Sequence, residues 1–113
     1  MKAVDIALVR FPFTEVATAK KRPALVLARV QRSPRNRLAT VAMITSQVEG
    51  LALEGDVRLL DWKAAGLLHP SVLRLAKVVT VDERLIEKTI GHLSARDLAS
   101  ARDAFRRVFA AWV

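Results

Sequence analysis

Four side chains in this sequence combine reactive or charge-bearing chemistry with a telling position: Arg22, Thr45, Ser46 and Arg74. An arginine carries a planar fork of donors that stays charged and matches phosphate oxygens, which lysine's point charge does not. A threonine or serine hydroxyl both donates and accepts. Arg22 stands just before an apolar run that starts at Pro23, and Thr45 and Ser46 stand just after the run that ends at Ile44. If those runs are neighbouring antiparallel strands, the start of one meets the end of the next, and Arg22 and Thr45 share one rim. Arg74 lies inside a later apolar run. Each residue also has a plainer reading. Arg22 could be a solvated charge ahead of a proline, and Thr45 a turn hydroxyl bonded to nearby backbone.

Most other constellations are absent. There is no glycine-rich phosphate loop. There is no cysteine, so disulfides and thiolate metal sites are excluded. The two histidines are His69, before Pro70, and His92, after Gly91. A zinc site would need carboxylates to complete it, and none stands at ligand spacing, so no metal and no cofactor are expected. A two-histidine ribonuclease mechanism is conceivable, yet both positions read as surface or turn. Lys and Arg number 19 against 11 Asp and Glu, a net charge of +8, and most of the cations are arginine. That balance fits a polyanionic partner such as nucleic acid, and equally fits a generally basic surface.

The elements that must position these residues follow from patterning. Asp5–Phe11 reads as a strand that Pro12 ends, and 14–21 as a polar loop. Pro23–Val30 is nearly all apolar and reads as a buried strand. A turn over 31–37 contains Ser33, Pro34 and Asn36, and a third strand covers 38–44. Gly50 and Gly55 frame a loop before a short strand over 56–60, and 61–66 forms one helical turn ending at Gly66. A fifth strand covers 71–79, a turn 82–84, and 85–91 is a sixth strand or a short helix. Ser94 with Asp97 has the spacing of a capping box. Leu98, Ala101, Phe105, Val108 or Phe109, and Trp112 then fall on one helical face, which reads as core. Asp103 and Arg107 stand at ion-pair spacing on the same helix. The pattern predicts a mainly β chain with a C-terminal helix, a small closed or half-closed barrel of five to six short strands with loop-borne sites on a rim. At 113 residues it predicts a single domain over 1–113. The N-terminal apolar run is broken by Arg10 and Pro12, and no segment has the length of a membrane span. A soluble cytoplasmic protein, not membrane-bound, is the expectation.

The segments DIALVRFPF, KKRPALVL, AMITS, SVLRLAKV and IGHLSARDL, in that order from Asp5 to the terminal helix, resemble the MazF/PemK family of toxin endoribonucleases. The strongest elements are Arg22-Pro23 ahead of an apolar strand and Ile44-Thr45-Ser46 at a strand end. The resemblance implies an SH3-like barrel that forms a homodimer. It implies cleavage of single-stranded RNA at short sequences without a metal, and a cognate antitoxin protein that occupies the RNA groove. It places Arg22 and Thr45 on the family's catalytic arginine and threonine, and Arg74 on an arginine that PemK-type members use at the cleavage site. The sequence departs from the pattern in three places. Val4 stands where glycine commonly precedes the first-strand aspartate. The first loop, FTEVATAKK, offers only Glu15 as a carboxylate. Ala76 stands where PemK-type members have an aspartate.

The chemistry implied is attack of the RNA 2′-hydroxyl on the adjacent phosphorus, leaving a 2′,3′-cyclic phosphate. Arg22 would stabilise charge on the phosphate. Thr45 and Ser46 would hydrogen-bond the phosphate or orient the 2′-hydroxyl, Arg74 would add a second phosphate contact, and Glu15 is the loop carboxylate that could be brought in as a base. Two other readings stand beside it. One is a non-catalytic basic nucleic-acid-binding barrel, or an inactive toxin homologue. The other is an adaptor whose helix and Trp62 region serve protein contacts alone.

Overall fold

The computed structural model describes residues 1–11, 20–50 and 52–112. Six strands and one helix follow the chain: β1 (Asp5–Phe11), β2 (Lys20–Ser33), β3 (Asn36–Thr45), β4 (Asp56–Arg58), β5 (Val72–Asp82), β6 (Ile86–His92) and α1 (Ala95–Val108). The strands form one antiparallel sheet in the order β4-β5-β3-β2-β1-β6. The mainly β architecture with a C-terminal helix matches the sequence expectation, and 86–92 is a strand rather than a helix. The sheet curls but stays open, with β4 and β6 as its edges.

Several boundaries differ from the sequence reading. Strand β2 begins at Lys20 and β3 ends at Thr45, so both residues lie inside strands, Arg22 paired with Val9 of β1 and Thr45 with Val72 of β5, although the β2–β3 pairing itself stops at Ala24–Met43. The connection between β2 and β3 shrinks to Pro34-Arg35, because the polar residues on either side still pair, with Ser33 across from Asn36. Strand β4 is only 3 residues long, and β5 runs on to Asp82. Glu15 and its loop, and Pro12, lie outside the described residues.

Alternation along β1, β2 and β3 explains their dense apolar runs, since side chains at successive positions point to opposite faces. Ile6, Leu25, Ala42 and Ile44 enter a core shared with Leu59, Leu73, Leu75, Ala101 and Ala104. Ala7, Val9, Phe11, Ala24, Val26, Ala39 and Val41 enter a second core, closed by Val81 and by the partly buried Leu85 and Ile86. With both faces covered, no polar alternation is needed. Trp62 packs against the first core, so it is not a free contact surface.

Helix α1 starts where expected. The Ser94 hydroxyl accepts from the Asp97 N–H at 3.3 Å. Asp97 does not close the second half of a capping box. Its carboxylate, 1% exposed, instead accepts from the backbone N–H groups of Leu60 (3.0 Å) and Asp61 (2.9 Å). Asp61 answers across the same joint: Arg96 donates to both of its oxygens at 2.8 and 2.7 Å, and Ser94 donates at 2.6 Å. Arg96, then Ser94, hold the Asp61 carboxyl well below the usual carboxylate range. That contribution is complete above the ordinary carboxylate range and is lost progressively as pH falls from that range to the lowered value.

The stripe read as core is buried only in part. Ala101 and Ala104 are buried and let the helix approach closely, but Phe105 is 41% exposed and Trp112 88%. Trp112 sits in a final 3-10 turn, 110–112, past the helix end. Phe105 and Phe109 instead pack on one another, ring centroids 4.7 Å apart. The Asp103–Arg107 pair forms as spaced, at 2.6 Å.

Val4 has φ of +66°, the left-handed region that a β-branched residue strongly disfavours. Its N–H donates to the Val26 carbonyl at 2.7 Å, which ties the turn down. This accounts for the glycine expected at that position. Val4→Gly should therefore raise stability by about 1 kcal/mol, the backbone strain relieved being partly offset by unfolded-state entropy. A thermal melt decides it, and a lower melting temperature would mean the side-chain contacts outweigh the strain. Asp97→Ala should cost about 2–4 kcal/mol, since it strands the N–H groups of Leu60 and Asp61. Denaturant titration would show this as a lower midpoint, and an unchanged midpoint would refute the joint's role.

Candidate functional site

The β2–β3 ladder pairs Ala24 with Met43. The ladder stops at that pair, and Arg22 and Thr45 each lie two residues beyond it along their own strands, on the same face. On the other side of β2, Arg22 pairs with Val9 of β1. On the other side of β3, Thr45 pairs with Val72 and Met43 with Arg74. Arg74 in turn pairs with Asp56 of β4. Residues directly opposite one another in a sheet share a face. Arg22, Thr45, Met43, Arg74 and Asp56 therefore stand on one face at one end of the sheet.

Arg74 reaches that face because of an irregularity in β5. The β3–β5 pairing runs regularly to Ala42–Val78 and then jumps to Met43–Arg74, so Leu75, Ala76 and Lys77 drop out of that ladder. An odd number of looped-out residues reverses which face the strand presents. Leu75 goes to the core beneath, 1% exposed, and its N–H donates to the Gly55 carbonyl at 3.2 Å.

Two grooves meet at Arg22 and Thr45. The first, about 580 Å³, is lined by Phe11, Arg22, Met43, Thr45, Arg74 and Lys77, among others. The second, about 610 Å³, continues over the rim past Lys20, Lys21, Ser46 and His69. Arg22 and Thr45 line both. The structure thus brings Arg22, Thr45 and Arg74 together in the first groove, and Arg22, Thr45 and Ser46 in the second. Glu15 lies outside the described residues.

The groups are poised for an acceptor-rich ligand. Arg22 is half-buried, and its side chain makes no hydrogen bond or ion pair among the described residues. The Thr45 hydroxyl accepts from the Gln47 N–H at 3.1 Å, the local turn bond expected of it. That bond occupies a lone pair and leaves the O–H free to donate to a ligand. Lys21 pairs with Glu87 at 2.9 Å, and this contact holds the Glu87 carboxyl below its ordinary range. Glu49 is the acid on the first groove's wall. Cations outnumber acids along both walls, so the field there favours an extended anion.

Sequence reasoning passed over four residues here. His69, read as surface or turn, lines the second groove beside Ser46. Lys20 and Lys21, read as loop, are strand residues on the same wall. Asp56, read only as the start of a strand, faces Arg74. Its one signal was its place at the start of a strand next to the arginine's own. His92 lies on the edge strand β6, across from Asp5, and lines neither groove. Among the described residues, no group of three or more histidines and carboxylates stands where it could hold a metal ion. No helix among them is long and apolar enough to cross a membrane.

The family model for the PemK-like, MazF-like toxin of type II toxin–antitoxin systems matches residues 2–109. A solved structure of the Mycobacterium tuberculosis toxin MazF-mt6 superposes with a TM-score of 0.67 at 29% identity, covering 94% of this chain and 96% of that one. MazF from Deinococcus radiodurans superposes at 0.66 with 18% identity over 97% and 96%. A mycobacterial endoribonuclease in complex with its cognate antitoxin superposes at 0.71 with 8% identity over 97% and 95%. These last two similarities establish the fold. No curated protein matches the sequence at a significant level.

A single-stranded deoxyoligonucleotide should bind with an affinity that falls as salt rises. Arg22→Ala and Arg74→Ala should each flatten the slope of log K against log salt by about 0.7, one phosphate contact apiece. Arg106→Ala, on the exposed face of α1, should leave the slope unchanged. Fluorescence anisotropy over a salt series reads this, and equal slopes for all variants would remove the grooves from the binding path.

Proposed function

The chain belongs to the PemK-like, MazF-like toxins of type II toxin–antitoxin systems, and on that premise we propose that it is a metal-independent endoribonuclease acting on single-stranded RNA. The observation that carries this reading is the Arg22 guanidinium, without a hydrogen-bond or ion-pair partner among the described residues, lining both basic grooves together with Thr45 where they meet. A strand of RNA lying along both grooves would carry one phosphate over that junction. Splayed bases on either side could have their edges read by the groove walls.

The reaction needs little from the protein. The 2′-oxygen's lone pair forms the new bond to phosphorus, the bond from phosphorus to the 5′-oxygen breaks, and its electron pair leaves with that oxygen. The 2′-hydroxyl loses a proton and the 5′-oxygen gains one, so the step balances, leaving a 2′,3′-cyclic phosphate and a 5′-hydroxyl. The nucleophile belongs to the substrate, so the protein's task is to align it in line and to stabilise charge on the phosphate oxygens. Arg22 stays protonated and serves as that charged donor. Thr45 donates to the same phosphate through its free O–H. Arg74 supplies a second fork from the first groove, and Ser46 a hydroxyl from the second. Glu15, between β1 and β2 in the sequence, is the candidate base. A cognate antitoxin protein would silence the enzyme by covering these grooves, and the working form would be a cytoplasmic homodimer.

A mixed-sequence single-stranded RNA incubated in EDTA should yield discrete fragments ending in cyclic phosphate. Arg22→Ala should slow cleavage by about 10²–10³-fold, the loss seen when one preorganised donor to a developing charge is removed. Intact RNA that is nonetheless bound would assign the chain to the binding-module or inactive-toxin reading and withdraw the catalytic roles.

A further inference from the structure

Asp56 opens β4 on the same face as the site and directly across from Arg74. Its Oδ1 lies 3.7 Å from Arg74 Nε. Both atoms are shut off from solvent, and neither has a hydrogen-bond partner among the described residues. A closed charge-assisted bond between such groups would measure about 2.7–2.9 Å, so the two attract without being joined. The other carboxylate oxygen, Oδ2, is already committed and accepts from the Leu53 N–H at 2.9 Å. The Asp56 N–H donates back to the Leu53 carbonyl at 3.0 Å.

The carboxylate is held in place from behind. Gly55, the preceding residue, has φ of +89°, and the space a Cβ would fill there is taken by the Val108 side chain of α1. Its carbonyl accepts from Leu75, in the bulge of β5 that turns Arg74 to the site face. Helix, β4 and the β5 bulge therefore meet at the residue next to Asp56. Nothing comparable restrains Arg74 from its other neighbour, Met43, which offers no charge.

We propose that Asp56 is the positioning residue for Arg74. Its carboxylate draws the Nε edge of the guanidinium toward β4 and so leaves the Nη donors for the phosphate in the groove shared with Arg22 and Thr45. The proposal rests on the ribonuclease reading above. It is distinct from a simple countercharge role. A countercharge, once removed, would raise the net positive charge of the groove and tighten nucleic-acid binding with no loss of cleavage.

Four proteins test it: wild type, Asp56→Asn, Arg74→Ala and the double variant. Asparagine preserves shape and the acceptor for Leu53 while removing the charge. Cleavage of single-stranded RNA in EDTA should fall about 10–100-fold in kcat for Asp56→Asn, the scale of a misplaced catalytic group, with KM little changed. In the Arg74→Ala background the same substitution should cost nothing further, because the residue acts through Arg74. Asp56→Glu, which restores the charge, should recover part of the loss, and it serves as the second variant if Asp56→Asn does not fold. An equal loss in both backgrounds, or no loss in either, overturns the proposal. If wild type does not cleave at all, the ribonuclease reading falls instead. Affinities of the same four proteins for a single-stranded deoxyoligonucleotide then decide the positioning role: non-additive effects of the two substitutions retain it, and additive effects overturn it.

Discussion

The site depends on a break in one strand. Strand β5 must pair with β3 along one edge and with β4 along the other, over the same residues Val72–Arg74. Farther along, it must also continue beside β3 to Asp82. A regular ladder through both halves would turn Arg74 into the core and bring Lys77 opposite Met43. Looping out Leu75, Ala76 and Lys77 reverses the facing of the strand at that point. Leu75 drops into the core as a result, while Arg74 comes level with the rim that carries Arg22 and Thr45. The burial of Leu75 and the facing of Arg74 are thus settled by a single register shift.

The rest of the molecule holds that shift in place. The bulge rests on Gly55, where only a residue without a side chain can adopt the backbone and leave room for Val108. The short β4 has few ladder bonds of its own. The turn that follows it is tied to the start of α1 through Asp97 and Asp61, whose carboxylates link backbone and side chains across the joint. Asp97 could have capped its own helix, but it binds Leu60 and Asp61 instead. A buried carboxylate is best placed where several donors converge, and the Ser94 hydroxyl already serves the helix end.

Membership of a toxin family gives the departures in this chain a physical setting. At Val4, the strained φ shows that the backbone there asks for glycine, and the chain accommodates valine in its place. At Ala76, where PemK-type relatives are expected to carry a carboxylate, the residue sits within the β5 bulge. The carboxylate that does face Arg74 comes from the neighbouring strand, as Asp56. An acid two residues along a strand and an acid across the ladder are interchangeable in charge but not in direction. They meet different edges of the guanidinium, and a planar fork distinguishes its edges.

Local patterning was enough to reveal the strands and the helix. Alternating and continuous apolar runs marked which segments are strands, and the short connections made β2 and β3 neighbours, so the shared rim of Arg22 and Thr45 was legible. These are short-range properties: side-chain period, proline and glycine placement, and capping at Ser94. What the sequence could not carry was long-range. The end of the buried stripe at Ala104, which leaves Phe105 and Trp112 exposed, depends on how far the sheet extends beneath the helix. His69 beside Ser46 depends on the path of a loop over the rim. Arg74 facing Asp56 depends on a bulge that no periodicity announces, because the residues looped out are as apolar or as basic as their neighbours. The amino-acid order determined which residues could act. Only the tertiary structure decided which of them face one another, because facing in a sheet is set by register, and register by packing from both sides.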